Sequence, residues 1–147
     1  MNLKHVASFF TASLLLSCSV KTVQKPSVNG TWQLVSATTI TKGDTTFIDY
    51  TKDQSMIKII NDTHFAFLKH SLKQDSVNRF DAGGGSYTLN GEQYTEHLDY
   101  YNDKNWEGKT FDFKVTVSND TLIQQGLEKV EAAGVERVII EKYVKVK

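Results

Sequence analysis

Residues 80–101 read FDAGGGSYTLNGEQYTEHLDYY. Asn90-Gly91 stands between two alternating runs, which is the strongest short-range signal for a β-hairpin because a type I′ turn needs positive φ at both central residues. A two-residue turn there pairs Leu89 with Glu92, Tyr87 with Tyr94 and Gly85 with Glu96. Side chains alternate across a sheet, so one face carries Gly85, Tyr87, Leu89, Tyr94, Glu96, Leu98 and Tyr100. The other carries Ser86, Thr88, Gln93, Thr95, His97 and Asp99. The first face is the apolar and aromatic one and is expected to point inward, which takes Glu96 inside among tyrosines. A buried carboxylate needs hydrogen-bond partners, and the hydroxyls of Tyr87, Tyr94 and Tyr100 are candidates. Gly85, facing Glu96, leaves room there. Glu96 then reads either as a polar anchor for a ligand or as part of an internal network; a slipped register would put it outside.

The glycines Gly83-Gly84-Gly85 do not read as a phosphate loop. Such a loop needs Lys-Ser/Thr at a fixed spacing and a helix start behind it, and a tyrosine-bearing strand follows instead. A bend or bulge at the start of a strand is the expectation.

The pattern extends outward from this hairpin. Short apolar or alternating runs recur about every 8–12 residues with turn residues between them, the signature of an all-β chain. Strands are expected near 31–41, 45–51, 55–60, 64–70, 85–89, 92–101, 109–117, 121–126 and 137–146. Lys42-Gly43-Asp44, Asn61-Asp62, Asn90-Gly91 and Ser118-Asn119-Asp120 supply the turns. Residues 71–84 read as a loop able to cover an opening, and 127–136 as a short helix or a loop ending at Gly134. An up-and-down meander of this kind removes its sheet edges by closing into a barrel, here of roughly 8–10 strands, wide enough for a small ligand.

The N-terminus has a different character. Residues 1–17 carry Lys4, an apolar run from Val6 to Leu16 and small residues before Cys18. That is the layout of a secretory signal, too short for a membrane span. Leu15-Leu16-Ser17-Cys18 resembles a bacterial lipobox, which implies cleavage before Cys18 and lipidation of that residue. Cys18 is the single cysteine of the chain, so no internal disulfide competes for it. Residues 18–29 then form a lipidated Cys and polar tether, and 30–147 the barrel domain. With Ser19 after the Cys, the resemblance implies an outer-membrane lipoprotein of the bacterial cell envelope on the periplasmic face, with the membrane as a partner through Cys18.

Asn29-Gly30-Thr31-Trp32 and the segments THFAF, GGGSYTLNGEQYTEH, GKTFDFKV and EKYVKV together resemble small lipocalin-like lipoproteins of Bacteroides-type bacteria. The resemblance covers about residues 30–147. It implies a lipocalin-like barrel in which Gly30 and Trp32 open the first strand, Trp32 plugs the closed end, and a basic residue of the last strand stacks over it. Arg137, Lys142, Lys145 and Lys147 are the candidates. The family carries no established activity, so the resemblance adds nothing on mechanism.

Seventeen Lys and Arg balance seventeen Asp and Glu. Without a basic excess the chain does not read as a nucleic-acid binder. No Gly-x-Ser-x-Gly elbow is present, and Glu96 lacks an inward acidic partner for glycosidase work, so the sequence points away from an enzyme and calls for no cofactor. Zinc needs three or four convergent ligands; His64 and His70 lie ~20 Å apart along an extended strand and His97 points outward, so no metal site is expected. Phe111, Phe113, Val115 and Val117 alternate with polar residues and face inward, and either Gln124 or Gln125 joins the core face. The functional expectation is a small apolar or amphipathic ligand in the barrel, near Tyr87, Tyr94, Glu96, Tyr100 and His64, with Trp106 at the mouth. The alternative is a filled barrel serving as an envelope scaffold or protein-interaction module.

Overall fold

β-Branched and aromatic residues in alternation, interrupted where the backbone turns, divide the chain into nine antiparallel strands. The structure is a computed structural model and describes residues 27–73 and 79–147. The strands are β1 Gly30–Thr41, β2 Asp44–Asp49, β3 Gln54–Ile60, β4 His64–Ser71, β5 Phe80–Asn90, β6 Gln93–Tyr101, β7 Lys109–Ser118, β8 Thr121–Val130 and β9 Val135–Lys145. The expected signal segment 1–17, Cys18 and the expected tether up to residue 26 lie outside the described residues.

From β3 to β9 each strand pairs with the next in sequence, while β2 and β3 both pair with β1, which also pairs with β9. Gly30–Gln33 lies against β3, while Ser36–Thr41 lies against β2. The β1–β9 ladder, from Trp32↔Lys145 to Ile40↔Val138, closes the sheet on itself. The result is an eight-stranded antiparallel barrel with β2 as an extra strand. Asp44–Phe47 of β2 are exposed, Phe47 by 67%, while Ile48 and Asp49 are half-buried.

Two expectations about local structure are corrected. Residues 127–130 continue β8 rather than forming a helix, pairing from Leu127↔Val138 to Val130↔Val135. Val130 is buried there, and cross-strand burial outweighs the helix propensity of Leu-Glu-Lys. Only Glu131–Ala133 make a 3₁₀ turn, ended by Gly134 at φ 65°. Residues 80–84 belong to β5 rather than to a loop.

The 80–101 hairpin turns one step later than expected. Asn90 pairs with Gln93 and Leu89 with Tyr94. Gly91 has φ 64° and Asn90 does not have positive φ, the pattern of a type II′ turn with Gly first. The partner sum shifts by two, so every face is kept, and Tyr87 rather than Gly85 stands across from Glu96. A bulge then intervenes: Leu98 and Asp99 together oppose Gly85. The Asp99 carboxylate accepts hydrogen bonds from the Ser86 amide (2.9 Å) and hydroxyl (3.2 Å), holding the extra residue in place.

The glycine run makes this crossing of strands possible. A Cβ on Gly85 would sit 1.9 Å from the His97 carbonyl oxygen, and one on Gly83 would meet the rings of Phe67 and Tyr101 below 3.0 Å. Gly85 therefore leaves no open space; it admits the bulged backbone of β6. Beyond the bulge the faces exchange, turning Tyr100 outward and Tyr101 inward.

Inward side chains fill one end of the barrel. Trp32, Leu34, Ile60, Phe65, Tyr94 and Leu122 are each no more than 4% exposed. Full burial of such side chains contributes roughly 1.5–3 kcal/mol apiece. The strand ends at 61–63, 91–92 and 119–120 surround this closed end, together with residues 27–29. The connections at 50–53, 102–108 and 131–134 surround the other.

Candidate functional site

The closed end is set by Trp32. Its indole nitrogen donates to the Val28 carbonyl at 2.7 Å, and the Lys145 ammonium lies 5.3 Å from its ring centroid. Of the four basic candidates it is Lys145 that stacks there. Gly30, at φ 138°, makes room for it, since a Cβ would stand 2.9 Å from the Lys145 Cε. Tyr87 and Tyr94 belong to this packed end. Their rings lie 4.9 Å apart, and the Tyr87 hydroxyl donates to the Asn61 carbonyl at 2.7 Å. Among the described residues the Tyr94 hydroxyl is the buried side-chain polar atom without a hydrogen-bond partner. Burial first, and then the neighbouring Glu96, push its pKa up.

Above this layer lies a polar floor. Lys58 comes from β3, Glu96 from β6 and Gln124 from β8, and all three are buried. The Lys58 ammonium forms an ion pair with Glu96 and donates to Gln124 Oε1 at 2.8 Å. It also lies 5.1 Å from the Phe65 ring centroid and 5.4 Å from that of Tyr94. A desolvated ion pair of this kind persists when its remaining hydrogen-bonding groups are satisfied, and Gln124 takes one of them. Glu96 is thus inside the barrel as its hairpin predicts, but its partner is a lysine rather than tyrosine hydroxyls.

A cavity of about 200 Å³ extends from this floor toward the opposite end. Its walls include Tyr50, Phe67, Tyr101, Trp106, Phe111 and Phe113. Trp106, on the β6–β7 connection, packs edge-on to Tyr101 at 6.3 Å and lies 5.7 Å from Phe111, measured between centroids. The turn that carries it is fixed by the Asp103 carbonyl, which accepts the amides of Trp106 and Glu107 at 3.0 Å. Arg137 lies 5.8 Å from the Trp106 ring and donates from Nε to Glu128 at 2.6 Å. Lys69 pairs with Asp81 at 3.1 Å on the far wall. Burial and then Asp81 raise the Tyr101 hydroxyl to about 12.

Glu141 completes the cavity. It lies on the inward face of β9 between Ile139 and Tyr143, flanked in the ladder by Gln124 of β8 and Ala37 of β1. Tyr143 donates its hydroxyl to Glu141 Oε2 at 2.7 Å. Burial raises the Glu141 carboxyl to about 7, against the pull of Lys58 and the Tyr143 hydrogen bond; Glu128 and Glu96 push it further up.

Of the five residues expected at the cavity, Glu96 lines it; Tyr87 and Tyr94 belong to the packed end, and Tyr100 and His64 lie on the outer face. Tyr100 is 71% exposed on the outer face, because the bulge at Leu98-Asp99 exchanges it with Tyr101. His64 is exposed, with its Nδ1 2.7 Å from the Thr63 hydroxyl, since inward positions on β4 fall on Phe65, Phe67 and Lys69. His97 also lies on the outer face, 2.9 Å from the Thr110 hydroxyl. Among the described residues no group of three or more His, Cys, Asp and Glu is placed to hold a metal ion.

Lys58 and Glu141 were not singled out by the sequence, although a signal existed for each. The tight 61–63 turn pairs Ile60 with Phe65 and therefore Lys58 with Phe67, on the inner face. Stacking of Lys145 on Trp32 brings Tyr143, Glu141 and Ile139 inward by alternation.

Comparison with known proteins agrees with this architecture. The chain superposes on a lipocalin-like protein from Bacteroides uniformis with a TM-score of 0.51 at 20% sequence identity, covering 80% of this chain and 97% of that one. No family model and no curated protein matches the sequence. The fold is therefore a lipocalin-like β-barrel.

Proposed function

We propose that the chain is an envelope-anchored lipocalin-like protein that binds a small amphipathic molecule in the open half of its barrel. The observation that carries this reading is the cavity itself. One end of the barrel is packed solid around Trp32, while the other keeps about 200 Å³ of space between aromatic walls and a set of charged side chains. A concave space walled by aromatic side chains with placed polar groups suits a small molecule, and its volume falls below the roughly 300–1,000 Å³ of drug-sized pockets. The ligand is accordingly small, on the scale of a single substituted ring.

Anchoring rests on the lipobox resemblance at Leu15–Cys18. Residues 27–29 join β1 at the closed end, so a lipid on Cys18 would hold that end toward the bilayer and turn the mouth away from it. Such an orientation leaves the cavity open to the surrounding compartment.

Native mass spectrometry of the full chain is the test. A stoichiometric non-covalent adduct of low mass, lost on unfolding, is the expected result. A crystal structure whose cavity holds only water after purification without washing would overturn it. A second reading, docking of an envelope protein, is favoured by one observation: Leu68, Phe80 and Tyr100 are exposed together on the outer face of β4–β6. Cross-linking in intact cells that traps a partner at Tyr100 would support that reading, and absence of any cross-link there would remove it.

A further inference from the structure

The charged groups around the cavity do not balance. Three cations and four carboxylates line it: Lys58, Lys69 and Arg137 against Asp81, Glu96, Glu128 and Glu141. Each cation has its own acidic partner, in the pairs Lys58–Glu96, Lys69–Asp81 and Arg137–Glu128. Glu141 makes no ion pair with the described residues. Tyr143 occupies one of its oxygens, and the other takes no hydrogen bond from the described residues. Its ladder partner on β1 is Ala37, whose side chain is a single methyl group. The unpaired acid therefore stands at the inner end of an aromatic-walled cavity, ~13 Å along β9 from the Arg137 mouth.

We propose that the ligand is a small organic cation, an amine on an aromatic or short aliphatic body, whose charged nitrogen is held by Glu141. This rests on the small-molecule reading above and specifies its chemistry. A protonated amine donates to the free Glu141 oxygen and completes the missing ion pair, as carboxylates out of water require. Its apolar body lies against Tyr101, Phe67 and Phe111, whose ring faces attract cations. An anion would meet an uncompensated carboxylate, and a neutral ligand would leave the cavity with its charge imbalance.

The same arrangement makes binding pH-dependent. The groups that face Glu141 are Tyr143 on its own strand, Lys58 from β3, Glu96 from β6, Glu128 from β8 and Tyr50 after β2. Lys58 favours its ionised form, and the two carboxylates together with burial oppose it. A bound cation sides with Lys58, so it binds the ionised form and releases a proton when it arrives at neutral or lower pH.

The test is calorimetric titration of the full chain with three probes that share a phenyl body: benzylamine, benzyl alcohol and benzoate. At about pH 8 benzylamine is expected to bind about tenfold tighter than benzyl alcohol, with benzoate weakest. Lowering the pH to about 6 should erode the benzylamine preference by severalfold while leaving benzyl alcohol unchanged. In Glu141→Gln the preference for benzylamine over benzyl alcohol should fall to within about twofold. Benzyl alcohol or benzoate binding as tightly as benzylamine, or Glu141→Gln keeping the preference, would overturn the cation assignment and leave the small-molecule reading standing. Failure of all three probes to bind would overturn the small-molecule reading together with it.

Discussion

The two ends of the barrel use the same pair of groups and reach opposite results. At one end Lys145 of β9 lies over Trp32; at the other Arg137 of β9 lies over Trp106. Trp32 stands on a barrel strand, 1% exposed, with Val28 closing over its indole nitrogen. Trp106 stands on a connection, half-buried, and its cation is shared with Glu128. A tryptophan on a strand is surrounded by neighbours from the ladders on both sides and becomes core. One on a connection has neighbours on the barrel side only and becomes a wall of the space it overlooks. The difference is one of backbone support, not of side-chain chemistry.

The most severe way to break this contrast is to remove each tryptophan. Trp32→Ala should lower the unfolding free energy by about 3–5 kcal/mol, whereas Trp106→Ala should cost about 1–2 kcal/mol, both read by chemical denaturation. Equal losses would mean that the mouth is as solidly packed as the base. The next largest effect lies at the boundary between the halves. Lys58→Met leaves Glu96 buried without its counter-charge and should destabilise by about 3 kcal/mol. The double variant Lys58→Met/Glu96→Leu should recover most of that loss, and failure to recover would show that the pair serves packing rather than mutual neutralisation.

A somewhat smaller effect is expected from Glu141 in the absence of ligand. Its carboxyl is raised from 4.5 to about 7 in the fold, so the folded state disfavours its ionisation. The contribution of this group to stability is therefore most favourable below about pH 4.5, declines as the pH rises toward 7 and is level above that. Glu141→Gln should remove the decline and gain on the order of 2–3 kcal/mol at alkaline pH, with little change in acid. Thermal denaturation followed across pH checks the sign, and a variant less stable than the parent above neutrality would contradict it. The smallest effect belongs to the closed end. Lys145→Met keeps the aliphatic stem over Trp32 and loses only the cation–π attraction, about 0.5–1 kcal/mol.

The hairpin at 80–101 shows how far alternation carries and where it stops. Tyr94, Glu96 and Leu98 point inward as their spacing requires, and the late turn does not disturb this because it moves the register by an even step. The bulge at Leu98-Asp99 does disturb it, and nothing in the run Leu98-Asp99-Tyr100-Tyr101 announces an extra residue. Its cause lies across the ladder in Gly85, where the β6 backbone comes too near for any side chain. Lys58 shows the converse case. Ile57, Ile59 and Ile60 surround it in sequence, yet Ile59 is 42% exposed and the lysine is buried. Hydrophobicity alone would have chosen the opposite face.

What the sequence by itself determined is the strand pattern, the closure expected of a meander and the inward side of Glu96. These follow from periodicity and turn chemistry, which are local. What only the tertiary structure decided is which charges meet. Lys58 reaches Glu96 and Gln124 across strands far apart in the chain, Tyr101 replaces Tyr100 at the cavity wall, and Glu141 makes no ion pair with the described residues. An ion pair depends on where two strands come together around a closed barrel, and that is a property of register and closure rather than of any single segment.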